Sequence, residues 1–270
     1  MAVAIAAALL STAGCNKLKA RDQLNKGVQS FRGANYEEAI EHFKNAVSLD
    51  GDLKVAKMYL ATAYAQQYVP GVLTPDNLRN AQLAIDQYKE VLRQDSHNVT
   101  SLKGIAFLYM QQKKFDDARE YYKKAIDADP QDPETYYSVG VIDWSATYQD
   151  AAELKSKEGL KVEDELKGKG SQKICDQMKS KDGEVVDEGM KMLQTAIDKR
   201  QDYDDAMAYM NLLYRRKAND MTCEDAQARA EYVKTANEWS DKAMAARKKK
   251  AEEAAKKTSG GIVLDQPKSK

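Results

Sequence analysis

Two histidines in 270 residues set the first limit on what this chain can do. His42 lies among charged residues and His97 in a turn, and neither has a His at i+4 or a nearby CxxC. A histidine-based metal site or nucleophile relay therefore has nothing to be built from. Walker, GxGxxG and GxSxG motifs are also missing, and no base accompanies Cys175 to make it a nucleophile. The sequence thus implies no catalytic residue, no metal ligand, no cofactor and no small-molecule substrate: a non-enzyme. An excess of one charge is lacking as well. Lys+Arg and Asp+Glu are both 42, so no global field draws the chain to nucleic acid or to an anionic surface. Proline and phenylalanine are scarce, at five and four. The apolar run Ala2 to Leu10, even extended to Gly14, is too short for a bilayer-spanning helix of about 20 residues.

What is present is a helical vocabulary of Ala, Lys, Glu, Asp, Gln and Leu, residues that mostly lose little side-chain freedom in a helix. The 15 tyrosines suit helix faces that reach the solvent edge. Asn35-Tyr36-Glu37-Glu38-Ala39 through Phe43 to Ala46 has the same rhythm as Lys114-Phe115-Asp116-Asp117-Ala118 through Tyr122 to Ala125. Spacings of four and three keep those positions on one helix face. A small residue marks each preceding helix where two helices pack closely: Gly27, Ala61, Ala106, Gly140 and, larger, Asn211. Gly27 to Ala61 and Ala106 to Gly140 are each 34 residues, Ala61 to Ala106 is 45 and Gly140 to Asn211 is 71. The two longer intervals are one period plus an insertion. The insertions fall at 66–73 and 145–183, with a shorter one at 219–225. Within the first, Tyr68, Val69, Val72 and Leu73 put apolar surface on the loop and are expected to pack down on the adjacent repeat rather than form a dedicated partner site. Thr74-Pro75-Asp76 is expected to start a helix, with Thr74 as its cap. Asn98-Val99-Thr100 reads as another turn and helix start. Pairs such as Asp204-Asp205 read as first-turn acids rather than an acid/base dyad.

The phased pattern, with Pro130 at the turn, resembles the tetratricopeptide repeat, whose period is 34 residues. The resemblance implies an all-α fold, a right-handed helical-repeat solenoid of about five tetratricopeptide helix pairs with loop insertions. Its array spans 20–245, with repeats near 20–53, 54–98, 99–132, 133–203 and 204–245, followed by a charged helix end and tail over 246–270. Gly260-Gly261 is expected to stop that last helix. A generic amphipathic bundle would not keep this phase. The family implies a scaffold that receives a peptide or helix of another protein in a concave groove. Carried onto this sequence, the groove holds Leu24, Val28, Phe31, Met58, Thr62, Lys103, Phe107, Met110, Tyr137, Val141, Trp144, Leu212 and Arg215. A competing reading buries several of these, Phe107 above all, between repeats. The family's clamp for C-terminal carboxylates is not matched, since Phe107 follows Lys103 where that clamp has Asn.

Ser11-Thr12-Ala13-Gly14-Cys15 after a short apolar run resembles the lipobox of bacterial lipoproteins, with Thr12 in place of the usual Leu and no basic residue ahead of the run. The resemblance implies an export signal over 1–14, a lipid on Cys15 and a periplasm-facing, membrane-anchored protein whose partner is an envelope component. Cys175 and Cys223 are then a possible disulfide in an oxidising compartment. Two alternatives stand beside this reading: a cytosolic adaptor without an anchor, and a thiol-redox accessory protein using Cys175 and Cys223.

Overall fold

The computed structural model describes residues 2–166 and 170–259, with side chains over 15–166 and 170–256. The side chains of the expected export segment 1–14, and Gly260-Gly261 with the tail beyond, lie outside the described residues. The described residues form ten helices and no strand: α1 (Ala2–Arg32), α2 (Tyr36–Leu49), α3 (Lys54–Gln67), α4 (Pro75–Gln94), α5 (Val99–Gln111), α6 (Phe115–Ala128), α7 (Pro133–Ser156), α8 (Ser171–Lys199), α9 (Asp204–Asp220) and α10 (Ala226–Ser259). None is long and apolar enough to cross a membrane among the described residues. Two compact units divide the chain, 1–130 and 131–270.

In the first unit each helix packs on the next, in the pairs α1–α2, α3–α4 and α5–α6. The buried residues of α2 are Ala39, Ile40, Phe43 and Ala46, and those of α6 are Ala118, Tyr122 and Ala125. This is the four-and-three stripe that makes one helix face apolar. The small positions lie where the helices of a pair touch. A Cβ on Gly27 would fall 2.5 Å from Phe43 Cε1, and Ala61 and Ala106 have no exposed surface. The core runs from Phe43 through Leu60, Tyr64 and Ile85 to Ile105 and Leu108. Asn98 caps α5, its side chain accepting from the Ser101 N–H at 3.0 Å. Thr74 stands at the α4 cap position, but its side chain makes no cap bond; Pro75 at the first position and Asp76 in the first turn mark that start instead.

The α3–α4 loop departs from expectation. Tyr68 is buried, yet Val69, Val72 and Leu73 point to solvent. The reason is Asn77, itself buried. Its side chain accepts from the Val69 N–H at 2.7 Å and donates to the Val69 and Val72 carbonyls at 2.8 and 2.7 Å. With Gly71 at φ +81°, the turn is closed from inside by polar bonds, which leaves its apolar side chains outward.

In the second unit the pairs are α7–α8 and α9–α10, with α8 packed on α9. Most of the 145–183 insertion is helix: α7 runs on to Ser156 and α8 begins at Ser171. The insertion's Ala, Glu, Lys and Gln residues favour that state. A Cβ on Gly140 would meet Leu193 Cγ at 2.5 Å. Asn211, too large for a bare helix crossing, fits because its amide donates to the Ala236 carbonyl of α10 at 2.5 Å. Asp204 and Asp205 are first-turn acids of α9, clasped by Arg247 and Lys250 of α10 at 2.5 to 3.1 Å.

The hairpin's far end has its own core of Ala151, Leu166, Ile174, Cys175 and Met178. The Cys175–Cys223 disulfide ties α8 to the α9–α10 turn, with Cα atoms 5.4 Å apart. Below it Lys155, fully buried, reaches Asp220 at 2.5 Å and the Asp164 and Val162 carbonyls at 2.6 and 2.8 Å. Arg216 pairs with the same Asp220 and donates to the Thr147 carbonyl at 2.7 Å. Burial pushes the Asp220 carboxyl up and the Arg216 guanidinium down although the two face each other. Desolvation outweighs attraction, so the group must be complete to be tolerated.

Candidate partner-binding faces

The faces that could receive a partner are built from the first helix of each pair. In α1, α3 and α5 the relevant positions stand three before, one after and four after the small residue. That places Leu24, Val28 and Phe31, then Met58 and Thr62, then Lys103, Phe107 and Met110, and none of these side chains is fully buried. Leu24, Val28 and Phe31 lie half-buried against the unit's core. Phe31 meets Tyr36 and Tyr59 edge-on, at 5.3 and 6.4 Å between ring centres. Thr62 turns inward, donating to the Met58 carbonyl at 2.8 Å and sharing a hydrogen bond with the Tyr88 hydroxyl at 3.0 Å. Phe107 is 46% exposed rather than sealed between repeats. An aromatic ring left half in water is poised for an apolar partner.

Sequence reasoning passed over the support for this face. Tyr88 of α4 lies across Gly104, where a Cβ would come 2.6 Å from its ring. Burial raises its phenol's pKa, partly offset by Thr62. The phenol therefore stays neutral and holds Thr62 and α5 in place.

In the second unit Tyr137, Val141 and Trp144 of α7 form one stripe, which Tyr148 continues. Tyr209 of α9 stands against it, 5.7 Å from Tyr137 and 5.4 Å from Trp144, both edge-on, while Tyr148 lies 5.1 Å from Trp144. Tyr203 closes the other side of Tyr137 at 5.0 Å. Burial, then the charges of Tyr209 and Asp205, push Tyr137 up to about 12, and burial raises Tyr209 and Tyr203 as well. All three are neutral phenols at neutral pH. Tyr209, Tyr148 and Tyr203 do not stand at the fixed steps from a small residue that mark the other positions, so those steps alone do not find them. The Asp205-Tyr209-Leu212 stripe of α9 carries the signal that finds Tyr209. Leu212 is half-exposed, whereas Arg215 is drawn aside, donating to Asn211 at 3.3 Å and to Asn237 of α10 at 2.9 Å.

The remaining predicted positions can be placed as well. Cys15 is free and exposed on α1. Cys175 and Cys223 are bonded to each other. No group of His, Cys, Asp or Glu among the described residues is arranged to hold a metal ion.

Residues 78–139 match the family model described as tetratricopeptide repeat. Curated protein sequences give no match. Among solved structures, a crystal structure of MamA aligns with a TM-score of 0.59 at 14% identity, covering 87% of this chain and 94% of that one. MamA from Desulfovibrio magneticus RS-1, residues 41 to the end, aligns with a TM-score of 0.58 at 16% identity, covering 86% and 96%. YrrB, described as a TPR protein with an unusual peptide-binding site, gives 0.51 at 14% identity over 84% and 90%.

Proposed function

Because the chain is a tetratricopeptide-repeat protein, we propose that it works as a non-enzymatic scaffold in the bacterial envelope. A peptide or helix of another envelope protein binds the inner-helix faces just described, and a lipid on Cys15 anchors the chain. The observation that carries the binding reading is the solvent-facing apolar surface of the inner helices. Phe107 is nearly half-exposed in one unit, and Trp144 is framed by Tyr148 and Tyr209 in the other. These rigid rings offer large contact area at small entropic cost. YrrB is a precedent for peptide binding on this fold, and precedent on a fold is analogy.

Envelope placement rests on two cysteine observations. Cys15 is exposed and follows the lipobox-like Ser11-Thr12-Ala13-Gly14. Cys175, fully buried, is bonded to Cys223, as suits an inert staple in an oxidising compartment better than a redox-active thiol.

A photoreactive phenylalanine analogue at position 107, and separately at 144, tests the binding reading in a native-type bacterial host. A discrete crosslinked polypeptide in the membrane fraction, lost when the analogue is moved to exposed Glu184, is the expected result. Crosslinks no different from those at 184 would refute it. Intact mass of the purified chain tests the anchor: loss of residues 1–14 with an acylated Cys15 supports it, and unacylated full-length protein in the soluble fraction refutes it.

A further inference from the structure

Four of the nine large hydrophobic side chains exposed among the described residues lie within ten positions of one another: Val69 (54%), Val72 (40%), Leu73 (80%) and Leu78 (39%). Isolated exposed leucines are ordinary; a cluster of aliphatic residues on one short turn is not. A flexible loop could fold such residues inward. This one is held open by the three hydrogen bonds of Asn77 and anchored by buried Tyr68.

The surroundings of this knuckle are acidic. Gln67, the residue before Tyr68, lines a shallow groove with Ala34, Asn35, Tyr36, Glu37 and Glu38. Asp76 follows on the loop's other side, in the first turn of α4. Several other acids of the unit pair with a neighbouring cation, as in Asp22–Lys26, Glu41–Lys44, Glu90–Arg93 and Glu120–Lys124. Glu37, Glu38 and Asp76 have no Lys or Arg partner among the described residues, and Glu38 has His42 at 4.0 Å. The nearest cation in sequence is Arg79, beside Leu78, and the three acids outnumber it. The three are first-turn acids of α2 and α4, partly offset by their helix ends. Apolar surface beside acids without a Lys or Arg partner favours a cover that brings cations.

We infer that the α3–α4 loop is a second docking surface, separate from the inner-helix faces. It takes an amphipathic protein segment with an aliphatic face and Lys or Arg flanking that face. The aliphatic face covers Val69, Val72, Leu73 and Leu78, and the cations sit against Glu37, Glu38 and Asp76. An anionic bilayer would meet the aliphatic residues equally well but would be repelled by the acids.

The test uses two synthetic 16-residue amphipathic helical peptides with identical leucine positions, one with lysines and one with glutamates at the positions flanking the leucine face. Their binding to the full chain is read by fluorescence anisotropy at low and at moderate salt. The lysine peptide should bind and the glutamate peptide should bind at least about tenfold more weakly. Val69→Ser with Leu73→Ser should weaken the lysine peptide about tenfold. Glu37→Gln with Glu38→Gln should weaken it severalfold and flatten its salt dependence. Phe107→Asp should leave it unchanged, which separates this surface from the inner face. All the substituted residues of the loop are exposed, and unchanged circular dichroism and thermal midpoint verify folding. Equal binding of the two peptides, or indifference to Val69→Ser/Leu73→Ser, would overturn the inference. So would loss of binding on Phe107→Asp. Self-association abolished by the loop variants would assign the patch to a second copy, and flotation with anionic vesicles abolished by them would assign it to lipid; either result also overturns it.

Discussion

Replacing Lys155 by methionine isolates one effect cleanly, because the new side chain keeps a similar unbranched stem and loses only the ammonium. That ammonium is fully buried and bonded to Asp220 and to the carbonyls of Asp164 and Val162. Without it, Asp220 retains Arg216 alone and two loop carbonyls lose their donor. Removing one partner of a buried ion pair costs about 3–5 kcal/mol. The loss comes from stranding Asp220, since desolvation already exceeds attraction within the group. Asp220→Asn removes much of the stranded charge, so the double variant should recover at least about 2 kcal/mol relative to the sum of the singles. Both tryptophans, Trp144 and Trp239, lie in the second unit, so urea unfolding followed by tryptophan fluorescence reads that unit selectively. Trypsin should also cut faster at Lys157 and Lys161. A Lys155→Met cost below about 1 kcal/mol, or additive single effects, would refute the reasoning.

Three further outcomes follow from the same unit. Reducing the Cys175–Cys223 bond, which closes 48 residues, should cost about 4 kcal/mol by the chain-entropy model; equal urea midpoints with and without reductant would contradict this. Gly140→Ala should destabilise by about 1–3 kcal/mol through overpacking against Leu193. Gly183→Ala, with nothing within 4 Å, should instead stabilise by up to about 1 kcal/mol, and matching signs for the two in thermal melts would undo the close-packing argument. Asp182 is pushed up to about 7 from 3.8, first by burial and then by neighbouring Asp150. Its folded value exceeds its unfolded one, so its stabilising contribution is full below about pH 4 and is lost as pH rises through 7. Asp182→Asn should flatten that decline, and a wild-type urea midpoint no lower at about pH 8 than at about pH 5 would contradict the assignment.

The helical repeat was legible because its signal is local. The stripes Ala39-Phe43-Ala46 and Ala118-Tyr122-Ala125 and the small positions at Gly27, Ala61, Ala106 and Gly140 repeat in phase, and each stripe buries one side of its own helix. The inner-face residues were legible to the extent that they hold fixed steps from those positions. Tyr209 does not, and Arg215 keeps the step but is drawn to Asn237 by a bond no spacing reveals. The α3–α4 loop was misjudged for a related reason. Composition says that Val69, Val72 and Leu73 favour burial, but Asn77, several residues on, fixes the backbone so that they cannot reach it. The Lys155, Arg216 and Asp220 group was invisible because its members come from two helices far apart in sequence, and each looks like an ordinary surface charge until the hairpin closes over it.

The long α7–α8 hairpin also bears on how such a chain can change. α8, with 29 residues, extends roughly 43 Å, against roughly 21 Å for the 14 residues of α6. The extra length is added along the helix axes, beyond the crossing at Gly140 and Leu193, and it carries its own core at Ala151, Ile174, Cys175 and Met178. Growth of that kind leaves the crossing untouched. Whole helical turns can be gained or lost at the tip as one graft, provided that the disulfide and the buried lysine move with it. A change in length at the base would rotate Gly140 away from Leu193 and spoil the fit of the pair.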